Sequence, residues 1–280
     1  MKTAFVSAIV LTLAACSGVE NKTATPSADN TLTEQEKEAG WKLLFDGSTL
    51  EAWDDPGQRT PPADSWTIAD GSIQSRAHPK IREDLMTKEA FGDFEMVFDW
   101  KISPGGNSGV KYQIQDRILL DRGKLNKKLK TFEEQLGYEI DHPVADRANL
   151  IGQGEEYVVA FEYQVIDDTG HADARRGAKY QAGALYSMVP AAKPMAKPVG
   201  EFNHSRIVKR GAQVEHWLNG EKVVDSSLDA PEIKEGADKR WKGVPRVHDG
   251  LTKRPKAETP VGLQNHGDEA WFRNIKIRRL

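Results

Sequence analysis

Cysteine is almost absent from this 280-residue chain, with Cys16 the only one. No disulfide can hold the folded part together, and no cysteine-built metal site is available. An excess of one charge is missing too. The 39 basic and 42 acidic residues leave a net charge of −3, so no strong field draws the chain to nucleic acid. The basic run 124–130 is followed closely by Glu133 and Glu134 and reads as a solvated surface segment. HExxH, CxxC and calcium-loop patterns are absent, which leaves a closed structural metal site unsupported. The glycine-rich stretch 103–109 lacks the Lys-Ser/Thr ending and following helix of a phosphate loop. The apolar stretch Phe5 to Leu13 is too short to span a bilayer, which needs about 20 residues.

That stretch has another reading. Lys2, the apolar run and Leu13-Ala14-Ala15-Cys16 have the order of an export signal: positive residue, short hydrophobic core, small-residue cleavage site. A cleavage site ending in cysteine resembles the bacterial lipobox, in which Cys16 would be acylated; the alternative is a plain secretory signal with an incidental cysteine. Ser17 after the cysteine, rather than Asp, resembles outer-membrane sorting. The expected organisation is a lipoprotein signal peptide over 1–15, lipidated Cys16 and a flexible polar tether over 16–35, and a single domain over 36–280. The protein would then be exported, on the periplasmic face of the outer membrane or the cell surface, meeting the membrane through its lipid anchor only.

Beyond the tether, strand signals recur at short spacing. Trp66–Ala69 and Ser72–Ser75 flank Asp70-Gly71, and Asn219-Gly220 joins Val214–Leu218 to Glu221–Val224, both with the turn pairs of primed hairpins. Phe94, Met96, Phe98, Trp100 and Ile102 alternate with Glu95, Val97, Asp99 and Lys101. Convincing helical periodicity is confined to 33–40 and part of 124–136. Many short strands, no βαβ rhythm and no repeat indicate an all-β sandwich. Residues 115–156 and 229–258 are polar, charged segments expected as two long loop insertions.

The polar residues inside these strands suggest a site. Val159, Phe161, Tyr163 and Val165 make a core face, which leaves Val158, Ala160, Glu162 and Gln164 on the other. Ser108, Val110, Tyr112 and Ile114 likewise point to the core, opposite Asn107, Lys111 and Gln113. If the strands are neighbours, one sheet surface carries Lys101, Asn107, Gln113, Glu162, Gln164, Gln264 and His266. Amides, a carboxylate, a lysine and an imidazole suit a polyhydroxylated ligand, since each hydroxyl both donates and accepts; a solvated face with no ligand remains the alternative. His266 is a candidate general base or metal ligand. Asp167 and Asp168 could bind a divalent cation with Glu162, or only cap the turn before Gly170. His216, among apolar neighbours, reads as packed or exposed elsewhere.

A longer series of motifs carries a resemblance. Trp41-Lys42-Leu43-Leu44-Phe45-Asp46-Gly47, Asp93-Phe94-Glu95 through Trp100-Lys101, Asn107-Ser108-Gly109-Val110 and Glu162–Asp168 are followed by Ala182–Tyr186, Asn203 and His216–Gly220. Gly262–Gly267 and Phe272–Ile275 end the series. In this order they resemble the bacterial 3-keto-glucoside 1,2-lyase/3-keto-2-hydroxy-glucal hydratase family, long labelled 3-keto-disaccharide hydrolase. The resemblance implies a concanavalin-like, laminarinase-like jelly-roll β-sandwich as the single catalytic domain, with the sugar on its concave sheet. It also implies an exported enzyme whose substrate is oxidised at C3 by a separate sugar oxidoreductase. The family's polar positions fall on Lys101, Asn107, Glu162, Gln164, Tyr186, Gln264, His266 and Arg273; Gln113 stands where many relatives have arginine. The expected roles are His266, Glu162 and Lys101 in catalysis, and Asn107, Gln113, Gln164, Tyr186, Gln264 and Arg273 in substrate binding. No cofactor is evident; a divalent metal is possible, with Glu162, Asp168 and His266 as candidate ligands. A ketone at C3 acidifies the C2 proton, so a base can form an enolate that expels the C1 substituent as a 2-hydroxy-glycal forms, and hydration completes net cleavage. The competing expectations are a non-catalytic carbohydrate-binding lipoprotein and a conventional glycosidase. The latter would need two carboxylates about 5–9 Å apart, Glu162 with Asp99 or Asp168.

Overall fold

The computed structural model describes residues 29–59, 62–122, 129, 131–148, 150, 153–253 and 255–280. The export signal and Cys16 lie outside the described residues. Fourteen strands are named here in chain order: β1 Lys42–Leu43, β2 Trp53–Asp54, β3 Trp66–Ala69, β4 Ser72–Ser75, β5 Ile81–Arg82, β6 Leu85–Thr87 and β7 Phe94–Ile102 come first. They are followed by β8 Asn107–Asp121, β9 Gly154–Ile166, β10 Asn203–Arg210, β11 Gln213–Leu218, β12 Glu221–Ser227, β13 Gly262–Leu263 and β14 Ala270–Arg279. The helices are α1 Glu34–Glu38, α2 Pro56–Arg59, α3 Phe132–Asp141, α4 Pro231–Trp241 and α5 Pro245–Thr252.

The strands form two sheets packed face to face, the all-β sandwich expected of this pattern. One runs β12-β11-β10-β7-β14-β4-β3 with β1 added on β14; the other runs β2-β6-β13-β8-β9-β5. Alternation explains the core between them. Phe94, Met96, Phe98 and Trp100 from β7 meet Val110 and Tyr112 from β8 and Phe161, Tyr163 and Val165 from β9, all buried. His216 is wholly buried in this core. Its Nε2 lies 3.0 Å from Tyr112 Oη and its Nδ1 2.9 Å from the Gly183 carbonyl. Burial drives its imidazole down to about 4, so it stays neutral and structural. The expected hairpin turns are present, with positive φ at Asp70-Gly71 and at Asn219-Gly220.

Three expectations change. The two insertions are not simple loops. Within 115–156 the β8–β9 ribbon continues and α3 forms, while 229–258 folds into α4 and α5. Pro231 opens α4, and Ile233, Ala237 and Trp241 are buried at helical spacing. Residues 29–35, assigned above to the tether, are held on the eight-stranded sheet. Asn30 is buried, its backbone N–H donates to Asn274 Oδ1 at 2.6 Å and its side-chain amide to the Gly71 carbonyl at 2.8 Å, and Thr33 caps α1. The third change is local. The register of β8 slips past β9 between Tyr112 and Asp116, where Gln113 has φ 53°.

Candidate active site

The outer face of the six-stranded sheet is the floor of a cavity of about 210 Å³, walled by Phe132, Tyr186, Met188, Arg240 and Trp241. Adjacent strands set out the floor. Gly262 of β13 lies opposite Lys111 of β8, and Lys111 lies opposite Glu162 of β9. Asn107 shares the outward parity of Lys111, and the Gln264 N–H, just past β13, donates to the Gly109 carbonyl at 2.9 Å. Gly109 has a specific reason here. A Cβ on it would stand 2.7 Å from Glu162 Oε1, so glycine leaves room for the carboxylate to lie across β8.

The charges on this floor are strongly coupled. Burial pushes the Glu162 carboxyl up to about 7, although Lys111 and Arg240 pull it down. Gln264 Nε2 donates to Glu162 Oε2 at 3.5 Å. Lys111 is only 5 % exposed and donates to Asp84 Oδ2 at 2.7 Å. Burial opposes its charge, but Asp84 and Glu162 hold it above the ordinary lysine value, so it is an ammonium. Asp84, pushed up to about 6 by burial, also accepts from the Asn265 N–H at 3.2 Å. His266 is driven down to about 4 by burial and by the nearby Arg82 cation, so it is neutral at neutral pH.

Several polar atoms on these walls lack partners. Arg82 Nε, Asn107 Oδ1 and Gln264 Oε1 are buried without a hydrogen bond. Buried polar groups are normally satisfied, so unpaired donors and acceptors converging on a cavity point to a polar ligand. The rim adds Tyr186, whose hydroxyl donates to Asp173 Oδ2 at 2.5 Å, and Trp241, whose indole donates to Tyr157 Oη at 2.7 Å.

Among the described residues, one group has the character of a metal site: His171, His266 and Asp268, with ligand atoms within 4.8 Å of one another. His171 Nδ1 accepts the Asp173 N–H at 3.0 Å. With His266 and Asp268 it makes up the three side chains that could hold a cation at this corner.

The 3-keto-alpha-glucoside-1,2-lyase-like domain matches residues 40–278. The chain belongs to that family. It is 31 % identical over 257 residues to a 3-keto-disaccharide hydrolase of Bacteroides thetaiotaomicron, covering 86 % of this chain and 79 % of that protein. Two candidate glycosyl hydrolases of Parabacteroides distasonis have similar solved structures. One has a TM-score of 0.65 at 26 % identity, over 90 % of this chain and all of the other. The second has 0.53 at 25 %, over 86 % and 99 %. Membership therefore supports a carbohydrate-active, glycoside-acting protein.

Within this lyase-like chain, Asn107, Glu162, Tyr186, Gln264 and His266 do converge on the cavity. The other expected residues do not. Lys101 sits on the outer face of the eight-stranded sheet, its ammonium 4.5 Å from the Trp271 ring centre and 5.1 Å from that of Phe202. Arg273 is on the same remote face, donating to Asp29 Oδ2 at 2.6 Å. β7 pairs with β10 and β14, never with β8 or β9, and alternation along a strand says nothing about which sheet holds it. Gln113 is turned away by the bulge and lines a separate cavity with Asp93 and Lys209. Gln164 is fully buried beneath 180–184, which hydrogen-bonds along its backbone. Asp168 accepts the Ala182 N–H at 2.8 Å and is outside the His266 group; Glu162 is too. Asp99 is occupied by His204 and Asn274 on the far sheet, which removes the Glu162–Asp99 pair considered for a glycosidase.

The sequence reading missed Lys111, Asp84, Arg82 and Arg240. Alternation puts Lys111 on the right face, but it offers Lys101 on equal terms. Arg240 was hidden in the supposed loop, although Pro231 and the 233–237–241 spacing signal the helix that carries it.

Proposed function

We propose that this protein cleaves 3-keto-glucosides by β-elimination, with Glu162 as the proton-transfer residue and Lys111 as the electrophile. The observation that carries the proposal is the Glu162 carboxyl, raised to about 7 on a cavity floor directly opposite a buried ammonium. A base works best with a proton affinity near the working pH, and a fixed cation stabilises charge developing on an enolate oxygen. The Glu162 carboxylate takes the C2 proton, and the C2–H electron pair passes into an enolate on the C3 oxygen, held by Lys111. The enolate collapses to restore the ketone and form the C1–C2 double bond, while the C1–O bond breaks. The proton on Glu162 passes to the departing oxygen. The product is a 2-hydroxy-3-keto-glycal, and adding water to it would complete net hydrolysis.

Asn107, Gln264 and Arg82 offer unpaired polar atoms for the sugar hydroxyls, and neutral His266 can accept or donate one such bond. His266, assigned catalysis in the sequence reading, is here a positioner, since an imidazole titrating near 4 is a poor proton donor at pH 7. The Cys16 motif supports export and acylation, and the keto substrate implies an upstream sugar C3 oxidation.

The test incubates the protein lacking residues 1–16 with a 3-keto-glucoside and its unoxidised parent in deuterated buffer, followed by NMR. Glycal formation and C2 deuteration from the keto sugar alone, lost in Glu162→Gln, is the expected result. Cleavage of the unoxidised parent at an equal rate would replace elimination by conventional hydrolysis. Binding of both sugars without turnover of either would make this a carbohydrate-binding protein.

A further inference from the structure

A second cavity, of about 300 Å³, adjoins the first and shares Tyr186 and Arg240 with it. Its character differs. Arg176, Lys179, Lys239 and Arg240 line it against a single carboxylate, Glu133. Two of these cations are occupied. Arg176 pairs with Asp173 at 2.5 Å and donates to Tyr180 Oη at 3.1 Å, and Arg240 donates to Ser187 Oγ at 3.1 Å. Lys179 and Lys239 have no carboxylate partner among the described residues. Tyr180 supplies a ring, with the Arg176 guanidinium 4.0 Å from its centre and the Tyr186 ring 5.6 Å away, edge to face.

Uncompensated cations around a concave surface concentrate anions there, and the half-buried Tyr180 ring suits a planar or cyclic group. Building on the elimination reading above, a sugar whose C2 faces Glu162 must project its C1 substituent out of the first cavity. The second shares a wall with it. We propose that this second cavity is the aglycone subsite and that it selects aglycones bearing a carboxylate, such as a uronic acid or an aromatic acid. Selection acts on binding: Lys179 and Lys239 meet the carboxylate and Tyr180 meets the ring, while the chemistry remains at Glu162.

The experiment compares the 3-keto derivatives of 4-carboxyphenyl and 4-carbamoylphenyl glucoside, each as both anomers. These probes have one shape and differ in charge. The wild type should favour the carboxylate in kcat/KM, and Lys179→Ala/Lys239→Ala should lower the carboxylate-to-amide ratio by about fivefold, the size of two exposed ion pairs. The change should lie in KM, with the amide probe unaffected. An identical ratio in both proteins would overturn the subsite. Calorimetric binding of 4-hydroxybenzoate against 4-hydroxybenzamide keeps the two readings separable. If the wild type turns over neither keto sugar yet prefers the benzoate in a lysine-dependent way, the reaction falls and the anion site stands. Equal binding of the two, in wild type and variant alike, removes the site.

Discussion

Replacing Glu162 by Gln should abolish turnover and, above neutral pH, stabilise the protein. The carboxyl lies on a poorly solvated floor that raises it from 4.5 to about 7. Because the folded state binds this proton more tightly than the unfolded chain, stability falls as pH rises from 4.5 through 7, and the full loss is present above that range. The difference amounts to about 3 kcal/mol, at about 1.4 kcal/mol per tenfold change in proton affinity. Lys111 and Arg240 already offset part of the burial cost, and that attraction is contained in the raised value. A glutamine amide fits the same space above Gly109 with no charge to desolvate. Melting curves of wild type and Glu162→Gln across about pH 4 to pH 8 should therefore coincide near pH 4. They should diverge to roughly 6–12 °C in favour of the variant near pH 8, from about 2–4 °C per kcal/mol for a domain of this size. Glu83, raised to about 7 by burial, tilts both curves equally and cancels in the difference. A gap that does not change with pH, or a wild type more stable at pH 8, would refute the desolvated carboxylate and with it the case for Glu162 as a tuned base.

Three further outcomes are expected. Log kcat/KM for a 3-keto-glucoside should rise with pH to a plateau above about 7, since the base must be ionised; a profile flat from pH 5 to 8 would exclude Glu162 as that base. Lys111→Met should destabilise by about 3–5 kcal/mol by stranding Asp84, and adding Asp84→Asn should recover most of it, as read by denaturant unfolding. Arg273→Ala should leave kcat/KM within about twofold, because the side chain is on the far sheet; a loss of a hundredfold would mean that the two faces communicate.

How much of this was legible in the chain depends on the range of the interaction concerned. Local rules served well where the deciding forces are local. Positive-φ turns at Asp70-Gly71 and Asn219-Gly220 follow from residue type, and the inward faces of β7, β8 and β9 follow from the two-residue period. The same period correctly grouped Asn107 with Lys111 and set Glu162 opposite the core. It failed at Gln113, where a bulge between Tyr112 and Asp116 breaks the alternation it depends on. Helix α4 was readable in principle, from its proline start and buried spacing, but its high charge content made it look like a loop.

By itself, then, the sequence determined the all-β class, the hairpins, the core faces and, through its ordered motifs, membership of the 3-keto-glucoside lyase-like family. Only the tertiary structure decided which lysine joins Glu162. Lys101 and Lys111 both occupy outward positions on strands, and alternation treats them alike. Backbone pairing puts β7 beside β10 and β14 and β8 beside β9 and β13, so one ammonium is on the far sheet and the other opposite the carboxylate. The proton affinity of Glu162 was likewise beyond the sequence, because it depends on burial and on charges brought from β8 and α4, distant along the chain and close in space.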